Sequence, residues 1–184
     1  MAIAAPNGDK ARPPLFGIAG WKNSGKTTLT AHLVTELDGR GFSVSVIKHA
    51  HESFDVDHVG RDSFRLREAG ACEVALSSPR RFALMRELRG AAELSLEDIL
   101  TYTCAGDLVL VEGFKREAFP KIEIRREGAR SREPLARTVP LIVAVASDRP
   151  DSESDGLPTF HLDDVPGMAD FVVSQLRLRP SSNG

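Results

Sequence analysis

The stretch GWKNSGKT, from Gly20 to Thr27, constrains this chain more than any other part of it. It fits the pattern G-x-x-x-x-G-K-[ST], and it lies between an apolar run, LFGIAG, and a helical pattern, GKTTLTAHLVTELDGRG. Glycines let a backbone wrap around an anion without Cβ clashes, and the amides at the start of a helix point toward the bound charge. The stretch therefore predicts a phosphate-binding loop between a strand and a helix. We call residues 20–28 the cradle.

The cradle predicts how a nucleoside triphosphate would be held. Lys26 is expected to contact the β- and γ-phosphates, and the hydroxyl of Thr27 to bind Mg²⁺. The competing interpretation is a glycine turn that opens an ordinary helix, and the flanking strand and helix patterns count against it. The expected nucleotide-binding residues of the cradle are Gly20, Asn23, Ser24, Gly25, Lys26, Thr27 and Thr28.

An acidic partner for this cradle is expected at the end of a neighbouring strand. The run DLVLVEG is almost wholly apolar, which predicts a central parallel strand covered on both faces, and Glu112 ends it. Its carboxylate should emerge at the same sheet edge as Thr27, where Mg²⁺ takes oxygen ligands. Lys26 and Glu112 are the predicted catalytic residues. Whether Glu112 binds metal, orients water or does both is open, and an exposed strand-end glutamate is the alternative.

A second polar concentration follows the strand SVSVIKHA, over residues 48–63. Asp55 or Asp57 could complete the Mg²⁺ shell, and Asp57 is the predicted metal ligand alongside Thr27 and Glu112. Three histidines of this segment could instead form a zinc site, although no cysteine supports it. Those histidines are His49, His51 and His58. A polar, switch-like loop is the favoured interpretation.

Asp148 is the candidate for choosing the base. It follows the apolar strand LIVAVAS, and one carboxylate can accept hydrogen bonds from both N1–H and the 2-amino group of guanine. Adenine has no such donor pair, so the residue favours GTP over ATP. The alternative role is a loop cap.

Alternation of strand and helix patterns predicts an α/β fold with a mostly parallel, doubly wound sheet. CEVALSS and RFALMREL, around Pro79, predict an antiparallel hairpin on the sheet edge, and the alternating KIEIRR predicts an edge strand. Ser95 and Asp98 are expected to cap a helix in LSLEDILTYTC. We expect flexible termini at 1–13 and 179–184 around one folded domain, 14–178.

Composition excludes several classes of function. A net charge of −2 gives no global attraction to nucleic acid or to an acidic membrane surface. No stretch is apolar over a membrane-spanning length, and the N-terminus lacks a signal-peptide pattern. Cys72 and Cys104 lie in apolar contexts without metal-ligand spacing, which predicts buried, reduced thiols. Together these features favour a cytoplasmic protein that binds neither nucleic acid nor membrane.

Four blocks of the sequence resemble the molybdopterin-guanine dinucleotide biosynthesis protein B (MobB) family. They are GWKNSGKTTL, IKHAHESFDVDHVGRDSFRLREAGA, DLVLVEGFKREAFPKIEIRR and VASD, in that order. The resemblance implies a homodimeric, GTP-binding member of the signal-recognition/MinD-like branch of phosphate-loop proteins. Such proteins hydrolyse GTP poorly at best and assist the guanylyltransferase that joins GMP to molybdopterin. Trp21 departs from the branch, in which a lysine often follows the first loop glycine, and Lys22 comes one place later.

The same resemblance implies a second anion site, for the phosphate of a pterin such as molybdopterin. Its residues would be Arg67, Ala69, Gly70 and Ala71 in RLREAGA. Hydrolysis also needs an oriented water, and no residue is placed for that by sequence; Arg61, Arg65 and Arg116 are the candidate arginine fingers. Two other functions share the cradle: a small-molecule kinase with residues 126–138 as an arginine-rich lid, and a metallochaperone GTPase that uses the histidines.

Overall fold

The computed structural model describes residues 12–50, 57–103, 106–150 and 156–179. The predicted flexible termini therefore lie almost entirely outside the described residues, as do Asp55, His51 and Cys104. The chain divides into two compact units, Met1–His49 with Ile99–Gly184 (unit 1) and Ala50–Asp98 (unit 2). In chain order the elements are β1 (Leu15–Gly20), α1 (Lys26–Gly39), β2 (Val44–Lys48), α2 (Asp62–Glu68), β3 (Glu73–Ser77), β4 (Phe82–Arg86), α3 (Leu96–Tyr102), β5 (Leu108–Glu112), β6 (Lys121–Arg125), a 3₁₀ turn (Leu135–Arg137), β7 (Ile142–Ser147), β8 (Thr159–His161) and α4 (Val165–Leu176).

Unit 1 contains a six-stranded sheet in the order β2-β5-β1-β6-β7-β8. Every pairing in it is parallel. All five residues of β5 are buried, as the apolar run predicted for a strand covered on both faces. Leu29, Leu33 and Leu37 lie one helical turn apart on α1 and pack into the core with Met168 of α4. The α/β prediction with a mostly parallel sheet is confirmed.

The prediction that KIEIRR forms an edge strand is wrong. Its first five residues form β6, which lies between β1 and β7, and all residues of β6 are buried. Its charged side chains find partners inside the protein rather than in water. The Arg125 guanidinium donates to the Glu123 carboxylate at 2.9 Å, which also accepts the Leu135 N–H at 2.9 Å. The Lys121 ammonium donates to the carbonyl of Phe119 at 2.9 Å. The charged residues that alternate along β6 are therefore buried and hydrogen-bonded rather than exposed to water. Sequence periodicity cannot distinguish these two situations.

Unit 2 contains the predicted antiparallel hairpin, but not as part of the main sheet. β3 and β4 form a two-stranded sheet of their own, so the expectation that they lie on the sheet edge is wrong. Most of the hairpin is exposed, with Val74 its buried apolar residue, and Phe82 is 70% exposed. Cys72, which precedes β3, is also exposed, contrary to the predicted buried thiol.

The predicted cap of α3 is confirmed by its hydrogen bonds. The Ser95 hydroxyl accepts the Asp98 N–H at 3.1 Å, and the Asp98 carboxylate accepts the Ser95 N–H at 3.0 Å. The Ser95 hydroxyl also donates to the Asp98 carboxylate at 2.6 Å, and this bond, together with the one from the Ser95 N–H, holds the pKa of Asp98 below its ordinary value. In the described ranges, no helix combines the length and the apolar character needed to cross a membrane.

Candidate functional site

The cradle joins β1 to α1 through backbone conformations that its sequence permits. Asn23 has φ 64° and Gly25 has φ 92°, which are left-handed values that asparagine and glycine tolerate best. A Cβ at Gly20 would lie 2.4 Å from Ser24 Oγ and 3.1 Å from the carbonyl oxygen of Ile124. The loop therefore closes so tightly on the end of β1 that a side chain at Gly20 does not fit.

Two features of the cradle fit an anionic ligand. Ser24 is buried, 1% exposed, and its hydroxyl has no hydrogen-bond partner in the structure. The N-terminus of α1 has no side-chain cap from Gly25 and no acidic residue in its first turn. Helix N-terminal amides left without a cap attract anions, and a buried hydroxyl without a partner is costly. The residues present therefore fit a phosphate group.

Two of the three predicted oxygen ligands of Mg²⁺, Thr27 and Glu112, are in contact. The hydroxyl of Thr27 lies 3.1 Å from each carboxylate oxygen of Glu112, and the Glu112 side chain is 8% exposed. The ammonium of Lys48 donates to Thr27 Oγ1 at 3.1 Å and lies 3.6 Å from Glu112 Oε1. A hydroxyl and one carboxylate beside a phosphate site match the way Mg²⁺ is usually bound, with the nucleotide's phosphates and water completing its shell.

The sheet register sets this geometry. Lys48 and Glu112 are paired positions of the parallel strands β2 and β5, and the His49 N–H donates to the Glu112 carbonyl at 2.8 Å. Gly113 follows with φ 98°, and a Cβ there would lie 2.7 Å from the Cβ of His49. The glycine after Glu112 therefore lets the chains approach closely, and the ring of His49 packs against that of Phe114, with centroids 4.9 Å apart and the rings tilted by 43°. The sequence placed Glu112 correctly at the strand end.

Positive charge accumulates around the cradle. The ammonium of Lys26 donates to the Trp21 carbonyl at 2.9 Å, and the ammonium of Lys115 lies 5.3 Å from the Trp21 ring centroid. Partial burial, followed by repulsion from Lys115 and Lys48, lowers the pKa of Lys26, although Glu112 opposes this. Burial also lowers the pKa of Lys115. Crowded ammonium groups of this kind favour a bound anion, which would relieve their repulsion.

Residues 126–138 hold the cradle from the side, which the sequence did not indicate. The Trp21 indole N–H donates to the Glu133 carbonyl at 2.9 Å, and the Arg130 N–H donates to the Lys22 carbonyl at 2.9 Å. A Cβ at Gly25 would lie 3.5 Å from a guanidinium nitrogen of Arg126. The segment proposed as a kinase lid is thus anchored to the loop. An aromatic residue in the loop was the signal that could have suggested such an anchor.

Asp148 lies at the carboxyl end of β7, as predicted, but its carboxylate is engaged. It accepts the Glu127 N–H at 2.6 Å and a hydrogen bond from Arg132 at 3.0 Å. Burial alone would raise the pKa of Asp148, and these bonds outweigh it and lower that pKa. The observed contacts match the loop-cap alternative. A guanine base would have to replace them, so base recognition stays a prediction.

Asp57 has local partners in unit 2. Its carboxylate accepts hydrogen bonds from the Ser63 hydroxyl at 2.9 Å and the His58 N–H at 3.0 Å, and lies 3.3 Å from the Arg67 guanidinium. Burial would raise the pKa of Asp57, but these bonds lower it overall. Metal binding by Asp57 stays a prediction, and Asp55, the alternative, lies outside the described residues.

The predicted second anion site has a structural role in unit 2. Arg67 contacts Asp57 and also donates to Glu87 at 2.7 Å. The amides of Ala69, Gly70 and Ala71 donate to carbonyls of α2 and close its C-terminus, with Gly70 at φ 105°. That end of a helix carries partial negative charge and repels anions. Pterin binding by these residues stays a prediction.

The remaining candidates are not assembled into a site. In the part of the chain that the structure describes, no group of three or more His, Cys, Asp and Glu residues could hold a metal ion. His51, one member of the alternative zinc set, lies outside that part. The candidate arginine fingers Arg61, Arg65 and Arg116 are exposed. The structure therefore adds no support for a zinc centre, and the role of these three arginines stays a prediction.

Comparison with known proteins gives consistent matches. Residues 15–148 match the family described as molybdopterin guanine dinucleotide synthesis protein B, MobB. The molybdopterin-guanine dinucleotide biosynthesis adapter protein of Escherichia coli is 41% identical over 170 residues, covering 91% of this chain and 96% of that protein. The protein of the same name from Haemophilus influenzae is 39% identical over 163 residues, covering 89% of each.

Solved structures are similar over nearly their whole length. A crystal structure of molybdopterin-guanine biosynthesis protein B has a TM-score of 0.69 at 28% identity, covering 88% of this chain and 99% of that one. A crystal structure of Bacillus subtilis MobB has a TM-score of 0.66 at 28% identity, covering 91% and 99%. The fold of the phosphate-loop α/β class is thus found in these relatives too.

Proposed function

The chain belongs to the molybdopterin guanine dinucleotide synthesis protein B family, and on that premise we propose that it is a GTP-binding adapter of molybdopterin guanine dinucleotide biosynthesis. It would bind Mg²⁺ and GTP, form a homodimer and assist the guanylyltransferase that attaches GMP to molybdopterin. The names of the relatives support the biosynthetic role. The chemistry of the cradle supports the nucleotide.

One observation carries the nucleotide proposal: the contact between Thr27 and Glu112 beside the uncapped start of α1. The hydroxyl and the carboxylate would bind Mg²⁺, while the amides of the cradle and the Lys26 ammonium would bind the phosphates. Mg²⁺, when bound, would neutralise charge on the β- and γ-phosphates. The Ser24 hydroxyl, buried without a partner, would gain an acceptor from the ligand or from a water molecule beside it.

Slow hydrolysis follows from the groups that the chain supplies. Phosphoryl transfer needs charge neutralisation and an oriented water, and Lys26 with Glu112 and Thr27 accounts for the first. The sequence contains one glutamine, Gln175, which lies in α4 rather than in the cradle. GTP would then act mainly as a bound ligand. Its presence would change the polar segment that begins at Lys48, and with it the surface offered to the guanylyltransferase.

Calorimetric titration with GTP and ATP, each with and without Mg²⁺, tests this proposal. Lys26→Met should weaken GTP binding by about tenfold or more, because it removes a charge-assisted hydrogen bond to phosphate. Asp148→Asn should reduce the preference for GTP over ATP. Arg80→Met, which removes one exposed positive charge from the hairpin turn of unit 2, is the charge-matched control and should bind GTP like the wild type.

Three outcomes would contradict the proposal. If Lys26→Met left GTP binding intact, the cradle would not be the phosphate site. If Asp148→Asn left the preference for GTP over ATP unchanged, Asp148 would not recognise the base. Turnover of GTP by the protein alone at about 1 s⁻¹ or faster, which is the range of dedicated phosphoryl-transfer enzymes, would replace the adapter with an enzyme. When added to the guanylyltransferase, Lys26→Met should lose any GTP-dependent association, and Arg80→Met should keep it.

A further inference from the structure

The ammonium of Lys48 lies beside the cradle, where the proposed function expects a metal cation. Its ammonium donates to Thr27 Oγ1 at 3.1 Å and lies 3.6 Å from Glu112 Oε1. These are the two oxygen-bearing side chains that the proposed function assigns to Mg²⁺. Glu112 is nearly buried, and a carboxylate in that position is stabilised by a positive neighbour.

The position of Lys48 is set by the fold rather than by a chance surface contact. It ends β2 directly opposite Glu112 in the parallel register, and the next amide, that of His49, is bonded to the Glu112 carbonyl. Its side chain is nevertheless 50% exposed, so the ammonium can leave for solvent without breaking the strand pairing. The backbone of Lys48 is thus fixed by the sheet, whereas its ammonium can exchange these contacts for solvent.

Building on the proposed function, we propose that Lys48 is a displaceable ammonium that stands in for Mg²⁺ in the metal-free protein. An ion bound by Thr27 and Glu112 competes directly with the ammonium, since both are positive and both need the same oxygen atoms. Metal binding therefore moves Lys48 away from these atoms. Before the metal arrives, the ammonium neutralises Glu112, so that a nucleotide's phosphates do not meet an uncompensated carboxylate.

Lys48→Met tests this inference because it keeps the length of the side chain and removes its charge. Lys115→Met is the matched control for the metal titration: Lys115 also repels Lys26, but its ammonium lies over the Trp21 ring. Mn²⁺, a paramagnetic substitute for Mg²⁺, is titrated into wild type and both variants, alone and with a non-hydrolysable GTP analogue. Free Mn²⁺ is measured by electron paramagnetic resonance, and analogue binding in EDTA is measured by calorimetry.

We expect Lys48→Met to bind Mn²⁺ about three- to fivefold more tightly than wild type, the range for loss of a half-exposed competing charge. Lys115→Met should change the Mn²⁺ affinity by less than about twofold, through general electrostatics alone. In EDTA, Lys48→Met should bind the analogue more weakly than wild type does, because Glu112 has then lost its neutralising charge. Equal Mn²⁺ affinities in the two variants, or analogue binding in EDTA as tight in Lys48→Met as in wild type, would overturn the inference.

The design separates this inference from the proposed function. If no form of the protein bound the analogue, the proposed function would fail. The Mn²⁺ titration without nucleotide would still judge Lys48, because it compares metal affinity between variants directly. Thermal unfolding of each variant checks that the substitutions leave the fold intact.

Discussion

At the scale of single residues, close contacts around the strand ends define the site. Gly113 has φ 98°, and its α-carbon faces His49 so closely that a Cβ would lie 2.7 Å from the Cβ of that residue. The hydrogen bond from the His49 N–H to the Glu112 carbonyl lies on the same stretch of chain. The carboxylate of Glu112 is therefore positioned by backbone packing, and a substitution at Gly113 should disturb it.

Gly113→Ala should destabilise the protein by about 2–4 kcal/mol, because it combines left-handed backbone strain with a clash against the Cβ of His49. Gly39→Ala is the control: Gly39 ends α1, nothing lies within 4 Å of an added Cβ, and alanine should stabilise by a few tenths to about 1 kcal/mol. Urea denaturation measures both. A Gly113→Ala variant as stable as wild type would show that the chain relaxes there at no cost.

At the scale of elements, β6 combines a buried position with charged side chains. Arg125 and Glu123 are 2% and 0% exposed at their side chains and lie 2.9 Å apart. Burying two charges costs solvation energy, which their attraction offsets only while both are present. The Glu123 carboxylate also accepts the N–H of Leu135, so the pair ties β6 to residues 126–138, the segment that contacts the cradle.

Arg125→Met should destabilise the protein by about 3 kcal/mol, because it leaves the Glu123 carboxylate buried without its cation. Adding Glu123→Gln should recover much of that loss, since the neutral amide oxygen can still accept the Leu135 N–H. Arg149→Met, in an exposed pair with Glu127, should cost no more than about 1 kcal/mol. Thermal and urea unfolding measure these changes. A double variant less stable than Arg125→Met would contradict the assignment.

At the scale of the whole molecule, the two units differ in how much apolar surface each buries. Among the described residues, nearly all of the buried apolar side chains belong to unit 1, and β5 is wholly buried. The hairpin of unit 2 buries Val74 and leaves Leu76 and Phe82 exposed at 45% and 70%. Local stability follows the density of buried contacts, so the two units should open with different free energies.

Native-state hydrogen exchange should resolve this difference. The amides of Leu108–Glu112 should exchange slowest, because opening them requires loss of the main core. The amides of Glu73–Ser77 should exchange many times faster, because a two-stranded sheet with one buried apolar residue opens at little cost. Mass spectrometry of peptides from both strands measures the rates. Equal protection of the two strands would contradict the prediction.

The sequence placed most of the elements correctly because local signals set them. Apolar runs predicted β1, β5 and β7, the leucines of α1 predicted a buried helix face, and Ser95 with Asp98 predicted a cap. The predicted positions of β6 and of the hairpin were wrong, because the place of a strand in a sheet depends on pairing with strands that can be distant along the chain, as β1 is from β6. The hydrophobic periodicity of a sequence shows which residues alternate, but it does not show which other elements pack against them.

By itself, the sequence determined the cradle, the strand end that carries Glu112 and the family, because these depend on residue types at short, fixed spacing. Only the tertiary structure decided that Lys48 lies against Thr27 and Glu112, that Trp21 is anchored by Glu133 and that the Asp148 carboxylate is already bonded. These contacts arise from strand order and register, which bring together residues far apart along the chain. A local pattern carries no information about that order, so the partners of each site residue had to be read from the folded protein.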